Sequence, residues 1–371
     1  MRILIYALQR STAPTGLCRY TANLVHALKQ SPLQPEIDLI IGSWQRDYYR
    51  DIFNVDANLA TIIEPPIKND LVGRYVWPIL NLGKLARRRG ADIVHFAAPS
   101  AFARSLIGVP VVTTVHDLYA YSHPEVFKLP NRILNRAVLA NAIAKSDATQ
   151  VISACTKAEM TRLLSDKMGR GDHRIIYQPV TVLAPDSGAT PRGPYVLCVA
   201  GHRKHKNMPL VIDAMRVLMD RGSLSSDTAL VIVGERSTET AMIEDTATRQ
   251  GVTLELLSSV SDQALANLYG GCLTFVAPSE AEGFCLPLVE ALMHGRRVVC
   301  SDIPIFHEVG RDACTFFSLA DDRTTHLADA LLTALAQPEP LREERRFSAA
   351  RFAEECAASY ASVLEATKPG P

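Results

Sequence analysis

Val182-Leu183-Ala184-Pro185-Asp186-Ser187-Gly188-Ala189-Thr190-Pro191-Arg192-Gly193-Pro194 is followed directly by Tyr195-Val196-Leu197-Cys198-Val199-Ala200-Gly201. The first stretch is rich in Pro and Gly and interrupts the patterning of the chain. The second is a short apolar run closed by a turn glycine, which reads as the opening strand of an α/β domain. The same pattern begins once before, at residues 2–8. Two beginnings imply two domains, 1–184 and 185–345, with 182–194 as the linker. Outward from that point, runs at 37–42, 92–96, 110–115, 148–153, 229–233, 273–277 and 297–300 read as strands. Arg19–Lys29, Arg132–Lys145, Leu210–Asp220, Asp262–Tyr269 and Leu286–His294 carry helical apolar spacing between them. This alternation predicts an α/β fold of two doubly wound parallel sheets facing across a cleft. Ligands of such sheets sit beyond the carboxyl ends of the strands, so the strand-exit loops are where chemistry is expected.

With 371 residues, 47% hydrophobic and 21% charged, the chain can bury two cores, and disorder is excluded as its dominant state. No apolar run approaches the roughly 18 residues of a spanning helix. The apolar start Met1–Leu8 is cut off by Gln9-Arg10, too early for a signal peptide, so a cytoplasmic location is expected. The eight cysteines stand apart with no C-x-x-C pair, which predicts buried thiols in a reducing compartment and neither a structural zinc nor a disulfide framework. The zero net charge hides an asymmetry. Residues 1–185 hold 22 Lys and Arg against 14 Asp and Glu, and the remainder 17 against 25. A basic first half suits an anionic acceptor, a membrane surface or nucleic acid. Nucleic acid is disfavoured, because no zinc finger, RRM-like aromatic motif or basic zipper is present. The run Lys84-Leu85-Ala86-Arg87-Arg88-Arg89 follows Tyr75-Val76-Trp77-Pro78-Ile79-Leu80. Together they read either as a surface helix pressed toward anionic lipid or as a helix ending in solvated cations.

Four clusters fall at strand exits. Thr12–Arg19 contains Gly16, where backbone N–H groups could approach a phosphate at a helix start, or which simply makes a tight turn. It is neither a Walker loop nor G-x-G-x-x-G, which lowers ATPase and simple NAD readings. His116-Asp117 follows the strand Val111–Val115; the imidazole could donate to a sugar hydroxyl, shield positive charge on a ring, or cap a loop. Gly201-His202-Arg203-Lys204-His205-Lys206-Asn207 offers cations that can neutralise a diphosphate at the start of a helix, or forms a solvated basic loop. Ser279–Ala291 places Glu282 before a helix and Glu290 about one turn inside it, with Gly283 in the loop and Pro287 in the first turn. Carboxylates so placed accept from vicinal sugar hydroxyls. The layout does not suit a glycosidase, whose acid and nucleophile flank one bond.

The fourth cluster resembles the E-x7-E signature of retaining, GT-B-fold glycosyltransferases of family 4, here Glu282 through Glu290 within P-S-x-x-E-G-F-x-L-P-x-x-E-A. The resemblance extends over nearly the whole chain, through Lys206-Asn207, Gly234, Val260-Ser261-Asp262, Leu268-Tyr269, Gly295, Ser301-Asp302, Gly16 with Arg19-Tyr20, and His116-Asp117. It implies GT-B architecture, a first domain that binds acceptor, and a second that binds a nucleotide-diphosphate sugar. It also implies that the last segment, 346–371, with a helix over Phe347–Ala366, crosses back to the first domain. By this resemblance Glu290 holds the ribose hydroxyls and Glu282 the sugar hydroxyls. Arg203 and Lys206 grip the diphosphate, aided by the backbone of Gly283, Phe284, Cys285 and Leu286, with Val260 also at the donor. Gly16 lets the first domain close on the phosphates, and His116 touches the transferred sugar. No metal or other cofactor is required. The acceptor implied is a saccharide or a polyprenyl-diphosphate-linked saccharide, with the protein peripheral to the membrane. The His-Lys-Asn form of the basic loop is most similar to mannosyl- and rhamnosyl-type relatives, which favours GDP-mannose over UDP-sugars.

One departure from the family pattern stands out. Where Gly-Phe-Gly is frequent, this chain has Gly283-Phe284-Cys285, which puts a side chain where close backbone approach is expected. Two other readings are carried with the transferase: a nucleotide-sugar epimerase on the same fold, which would act without acceptor, and a non-catalytic nucleotide-sugar-binding protein.

Overall fold

A computed structural model describes residues 1–124, 127–169, 171–186, 192–339 and 346–367. Within the linker stretch, residues 187–191 lie outside the described residues, as do the expected domain limit at 345 and the terminal residues 368–371. The chain divides into two units, Met1–Pro179 with Phe347–Pro371, and Val180–Arg346.

In the first unit the order is β1 (Arg2–Tyr6), α1 (Gly16–Gln30), β2 (Glu36–Ile40), β3 (Thr61–Ile63), α2 (Trp77–Arg89), β4 (Ile93–Phe96), α3 (Arg104–Ile107), β5 (Val111–Val115), α4 (Tyr119–Ser122), α5 (Leu129–Lys145), β6 (Ala148–Val151), α6 (Ala154–Leu164) and β7 (Asp172–Ile175). Its strands form one parallel sheet in the order β3-β2-β1-β4-β5-β6-β7. β1 lies inside the sheet, with Ile3 opposite Ile37 on one side and Ile93 on the other. Burial on both faces is why Ile3-Leu4-Ile5 reads as a continuous apolar run rather than an alternating one.

The second unit holds β8 (Tyr195–Val199), α7 (Met208–Asp220), β9 (Ala229–Val233), α8 (Thr240–Gln250), β10 (Leu254–Leu257), α9 (Asp262–Gly271), β11 (Thr274–Ala277), α10 (Leu286–Met293), β12 (Val298–Ser301), α11 (Pro304–Gly310), β13 (Cys314–Phe317) and α12 (Arg323–Ala336). Its parallel sheet runs β10-β9-β8-β11-β12-β13, the doubly wound order that reverses direction between its first and fourth strands. The final helix α13 (Ala349–Ala366) belongs to the first unit, where it packs on α1. Phe352, Cys356, Tyr360 and Val363 of α13 join the core under α1, β1 and β2. The opposite face of that sheet is covered by α2, α3 and α5 through Leu82, Ala86, Ile107 and Ala142.

The basic helix departs from its sequence reading in one respect. Trp77 is half-buried against the core, and the exposed apolar side chains are Leu71, Val72, Val76 and Leu80. Arg89 is spent on the buried Asp38 in a bidentate pair (2.9 and 2.6 Å), and Arg87 donates to the Leu106 carbonyl (3.3 Å). Lys84 and Arg88 remain exposed. All eight cysteines are free thiols. Among the described residues no helix is long and apolar enough to cross a membrane.

Candidate functional site

In the second unit the sheet reverses between β8 and β11, and apart from Val260 its candidate residues follow those two strands. The loop after β8 is closed by Arg203 N–H donating to the Gly201 carbonyl (2.8 Å), passes through a 3-10 turn at Lys204–Lys206, and reaches Asn207 in the left-handed region (φ 56°), where α7 starts. Gly234, leaving β9, has no room for a side chain: a Cβ there would lie 2.0 Å from the Ala200 carbonyl oxygen. That closeness lets His202 N–H donate to the Glu235 carbonyl (2.9 Å), while His202 Nδ1 pairs with Thr240 Oγ1 (2.9 Å). The loop after β11 is tied to the same place, since Glu280 N–H donates to the His205 carbonyl (2.9 Å).

This lacing brings Lys206 against Glu282. Lys206 Nζ donates to Glu282 Oε1 in an ion pair whose side chains are 16% and 11% exposed. Ser279 Oγ donates to the same oxygen (2.8 Å), and Ser279 is itself held through its carbonyl by Ser301 Oγ. Arg203 is exposed and makes no ion pair among the described residues. Glu290 lies one turn into α10, where the buried Tyr269 hydroxyl donates to its Oε2 (2.9 Å). Tyr269 is fixed by stacking on His294 at 5.1 Å. Burial, then the Glu290 carboxylate, push the Tyr269 phenol well above its ordinary pKa, so it remains a donor. Gly283 and Leu286 are half-buried and Phe284 is buried, and α10 begins at Leu286 without a side-chain cap on its N–H groups. Cys285 sits at the cap position with φ 67°, the left-handed region that disfavours a side chain. A glycine at this position would meet that backbone requirement without a side chain. Burial holds the Cys285 thiol protonated. Val260 is half-buried in the turn between β10 and α9, next to Ser261, which caps α9 by accepting from Ala264 N–H (3.2 Å).

The first unit holds the other two candidates at the same end of its sheet. Gly16 opens α1 behind its cap Thr15, and a Cβ added there would meet nothing within 4 Å. Among the described residues nothing therefore demands glycine at 16. The loop from β1 to α1 is pinned from below by the buried Gln45, which accepts from Gln9 N–H (3.0 Å) and donates to the Ala7 carbonyl (3.2 Å). His116 follows β5 and is 9% exposed. Its Nε2 is 2.7 Å from the Ala97 carbonyl, an acceptor, so the ring proton resides on Nε2. Burial drops the imidazole pKa to about 4, with the Ala97 bond opposing only in part. A neutral ring whose single N–H is spent on Ala97 presents Nδ1 as an acceptor. The expectation that His116 donates to a sugar hydroxyl is corrected on this point: it can accept from one. Sequence reasoning gave no role to Tyr269 or Gln45, because each acts through a partner remote in sequence, and none to Ser279, which donates to Glu282 three residues on. Among the described residues no group of three or more His, Cys, Asp or Glu is placed to hold a metal.

Two family models account for the chain between them: Glycosyltransferase Family 4 over residues 14–182 and Glycosyl transferases group 1 over residues 183–351. The chain belongs to the group 1, family 4 glycosyltransferases. This glycosyltransferase is 23% identical over 324 residues to the O-antigen chain mannosyltransferase RfbU of Salmonella typhimurium, covering 84% of this chain and 85% of the relative. It is 28% identical over 221 residues to O-antigen chain mannosyltransferase B of Escherichia coli, covering 54% and 55%. Its fold matches that of Anabaena HepE, solved in complex with UDP and glucose, with a TM-score of 0.65 at 15% identity over 99% and 98% of the two chains. The two parallel-sheet Rossmann-like units are those of a GT-B glycosyltransferase.

Proposed function

We propose that this glycosyltransferase is a retaining, metal-independent mannosyltransferase. It would move mannose from GDP-mannose to a saccharide, carried on a polyprenyl diphosphate, in surface polysaccharide or glycolipid synthesis. The observation that carries the reading is the Lys206–Glu282 pair at the switch point, with Glu290 held by Tyr269 close by in sequence and Arg203 exposed in the same loop as Lys206. Glu290 would accept from the ribose hydroxyls and Glu282 from the mannose hydroxyls. Arg203, Lys206 and the N–H groups of Phe284, Cys285 and Leu286 would hold the diphosphate, with Val260 beside the nucleoside. His116 would accept from a hydroxyl of the transferred sugar, and Gly16 would leave room for phosphate. Two curated relatives named as mannosyltransferases support mannose as the sugar.

The acceptor hydroxyl would attack the anomeric carbon on the face from which the diphosphate leaves. The bond from that carbon to the diphosphate oxygen breaks as the new one forms, and the hydroxyl proton passes to the departing phosphate oxygen. Charge develops on the leaving group, so fixed cations and N–H dipoles supply the stabilisation, each worth about 3–4 kcal/mol of barrier. The neutral His116 neither takes nor gives the proton in this scheme. Cys285, the one support for a non-catalytic reading, leaves every charge of the scheme in place.

The lipid-linked acceptor would be met at the inner face of the cytoplasmic membrane. Seven of the thirteen exposed large hydrophobic side chains among the described residues fall within 71–133, namely Leu71, Val72, Val76, Leu80, Leu106, Leu129 and Ile133. Segment 68–136 also carries ten Lys and Arg against four Asp and Glu, a coincidence that suits anionic lipid. Incubation with GDP-mannose and a polyprenyl-diphosphate disaccharide tests the reaction. An α-mannoside by NMR, formed equally in EDTA and abolished by Lys206→Ala, is expected. A β-linked product, or loss of activity in EDTA, would contradict the proposal. Flotation with phosphatidylglycerol vesicles but not with phosphatidylcholine vesicles is expected for the membrane contact.

A further inference from the structure

A buried polar chain runs through the first unit from the C-terminal helix to His116. At its far end the Tyr360 hydroxyl of α13 lies 2.6 Å from His95 Nδ1. His95 Nε2 lies 2.8 Å from Thr114 Oγ1, and Thr114 Oγ1 lies 2.8 Å from the Tyr20 hydroxyl. Tyr20, His95, Thr114 and Tyr360 are each no more than 1% exposed. Burial drops His95 to a pKa of about 3, so it is neutral, with one nitrogen donating and the other accepting. Either tautomer leaves the chain unbroken, because Tyr and Thr hydroxyls turn to match it. The near end is the Tyr20 ring, which meets the His116 imidazole edge-on, centroids 4.7 Å apart and planes at 87°. The other side of Tyr20 is met by Phe352 of α13, also edge-on, at 5.9 Å.

His116 is thus fixed by two contacts, Ala97 through Nε2 and Tyr20 through the ring. The first sets which nitrogen carries the proton, and the second sets the plane in which Nδ1 points. A terminal imidazole torsion is broad and roughly two-fold when nothing packs on it, so the hydrogen bond alone does not hold the ring plane. We infer that Tyr20 is the positioning residue of His116, and that α13 sets it through Phe352 and the Tyr360–His95–Thr114 chain. In this view the return of the C-terminus to the first unit has a purpose in the reaction: it fixes a side chain that touches the transferred sugar. The inference rests on the proposed contact of His116 with that sugar.

A double-mutant cycle tests it, with turnover followed as GDP released from GDP-mannose in the presence of the lipid-linked disaccharide. Tyr20→Leu is expected to lower kcat by about tenfold or more, since small misplacements of a catalytic contact carry large rate losses. The Kd for GDP, which the second unit would bind, is expected to stay within about twofold of wild type, a split that general loss of folding would not produce. Tyr20→Phe, which keeps the ring, is expected to recover most of the loss. In a His116→Ala background, Tyr20→Leu is expected to lower kcat no further. An equal fold-loss from Tyr20→Leu in both backgrounds would overturn the inference, as would unchanged kcat in Tyr20→Leu. If His116→Ala alone turned over like wild type, the proposed sugar contact itself would fail, an outcome separate from these. Thermal melting of each variant sets aside any that does not fold; should Tyr20→Leu be one, Tyr360→Phe is expected to give a smaller kcat loss that likewise vanishes without His116.

Discussion

Glu282→Gln separates the two roles proposed for that carboxylate, partner of Lys206 and contact of the transferred sugar. Lys206 and Glu282 neutralise each other while 16% and 11% exposed, and Ser279 donates to the same carboxylate oxygen. A nucleoside diphosphate that recruits Lys206 must draw it from Glu282. Opposite charges about 4 Å apart attract by about 4 kcal/mol at an effective dielectric of 20. Residual solvent and retention of an amide hydrogen bond reduce the share lost on substitution to about 1–2 kcal/mol. Glu282→Gln is therefore expected to bind GDP about 5- to 30-fold tighter than wild type. Transfer moves the other way. If Glu282 holds the sugar as proposed, the amide would replace a charge-assisted hydrogen bond to its hydroxyl by a neutral one, a loss of about 1–2 kcal/mol, or roughly 10-fold in kcat/KM for GDP-mannose. Calorimetric titration with GDP and steady-state turnover measure the two arms. The gain in GDP affinity should disappear in Lys206→Met/Glu282→Gln. Weaker or unchanged GDP binding in Glu282→Gln would refute the reasoning, because Lys206 would then not be shared between carboxylate and phosphate.

Tyr269→Phe removes the 2.9 Å donor to Glu290 and is expected to weaken GDP binding by about fivefold, close to 1 kcal/mol, with little change in kcat. Calorimetry reads this directly. Cys285→Gly relieves a side chain held at φ 67°, worth about 1–2 kcal/mol, against about 0.5–1 kcal/mol of added freedom in the unfolded chain, so urea melts should show it as stable as wild type or slightly more so. The buried histidines set an acid limit. His95 and His116 have folded pKa values of about 3 and about 4, below the unfolded value near 6.5. Their contribution is complete above pH 6.5 and is lost as pH falls through that window toward 4, by about 1.4 kcal/mol per pH unit for each, because the unfolded chain takes up the protons first. Urea midpoints at pH 7 and pH 5 check the slope, which His116→Gln should roughly halve.

The division between what the sequence disclosed and what it hid follows burial. The strands read from apolar runs, such as 2–8, 110–115, 195–200 and 229–233, lie within the sheets with neighbours on both sides. The four strands not foreseen, β3, β7, β10 and β13, are the outermost strands of the two sheets. Asp172-His173-Arg174-Ile175 and Leu254-Glu255-Leu256-Leu257 are half-buried throughout and carry polar residues, so no apolar run marks them. Helices such as α8 escaped for a similar reason, since Thr240–Gln250 buries only Thr240, Ile243, Thr246 and Ala247, a narrow and half-polar stripe. Of the candidate residues, Lys206, Glu282 and Glu290 in the second unit and His116 in the first could be named because each stands at or just beyond a strand exit in a local motif. The tautomer of His116, the donor to Glu290 and the Tyr360–His95–Thr114–Tyr20 chain depend on contacts between positions far apart in sequence, and no local spacing reports those. Cys285 lies between the two cases. Its departure from glycine is visible in the sequence, whereas its left-handed backbone is visible only in the fold.

The central claim is that Glu290 and its neighbours form a metal-independent nucleotide-sugar site in the second unit. Thermal unfolding with GDP, UDP, ADP and dTDP, with and without EDTA, on wild type and Glu290→Ala tests it most directly. At a ligand concentration 100 times Kd, binding adds about 2.7 kcal/mol to the stability of the folded state. A rise in melting temperature with GDP that is the same in EDTA and is lost in Glu290→Ala is expected. A rise that requires metal, that survives in Glu290→Ala, or that appears with none of the four nucleotides would contradict it.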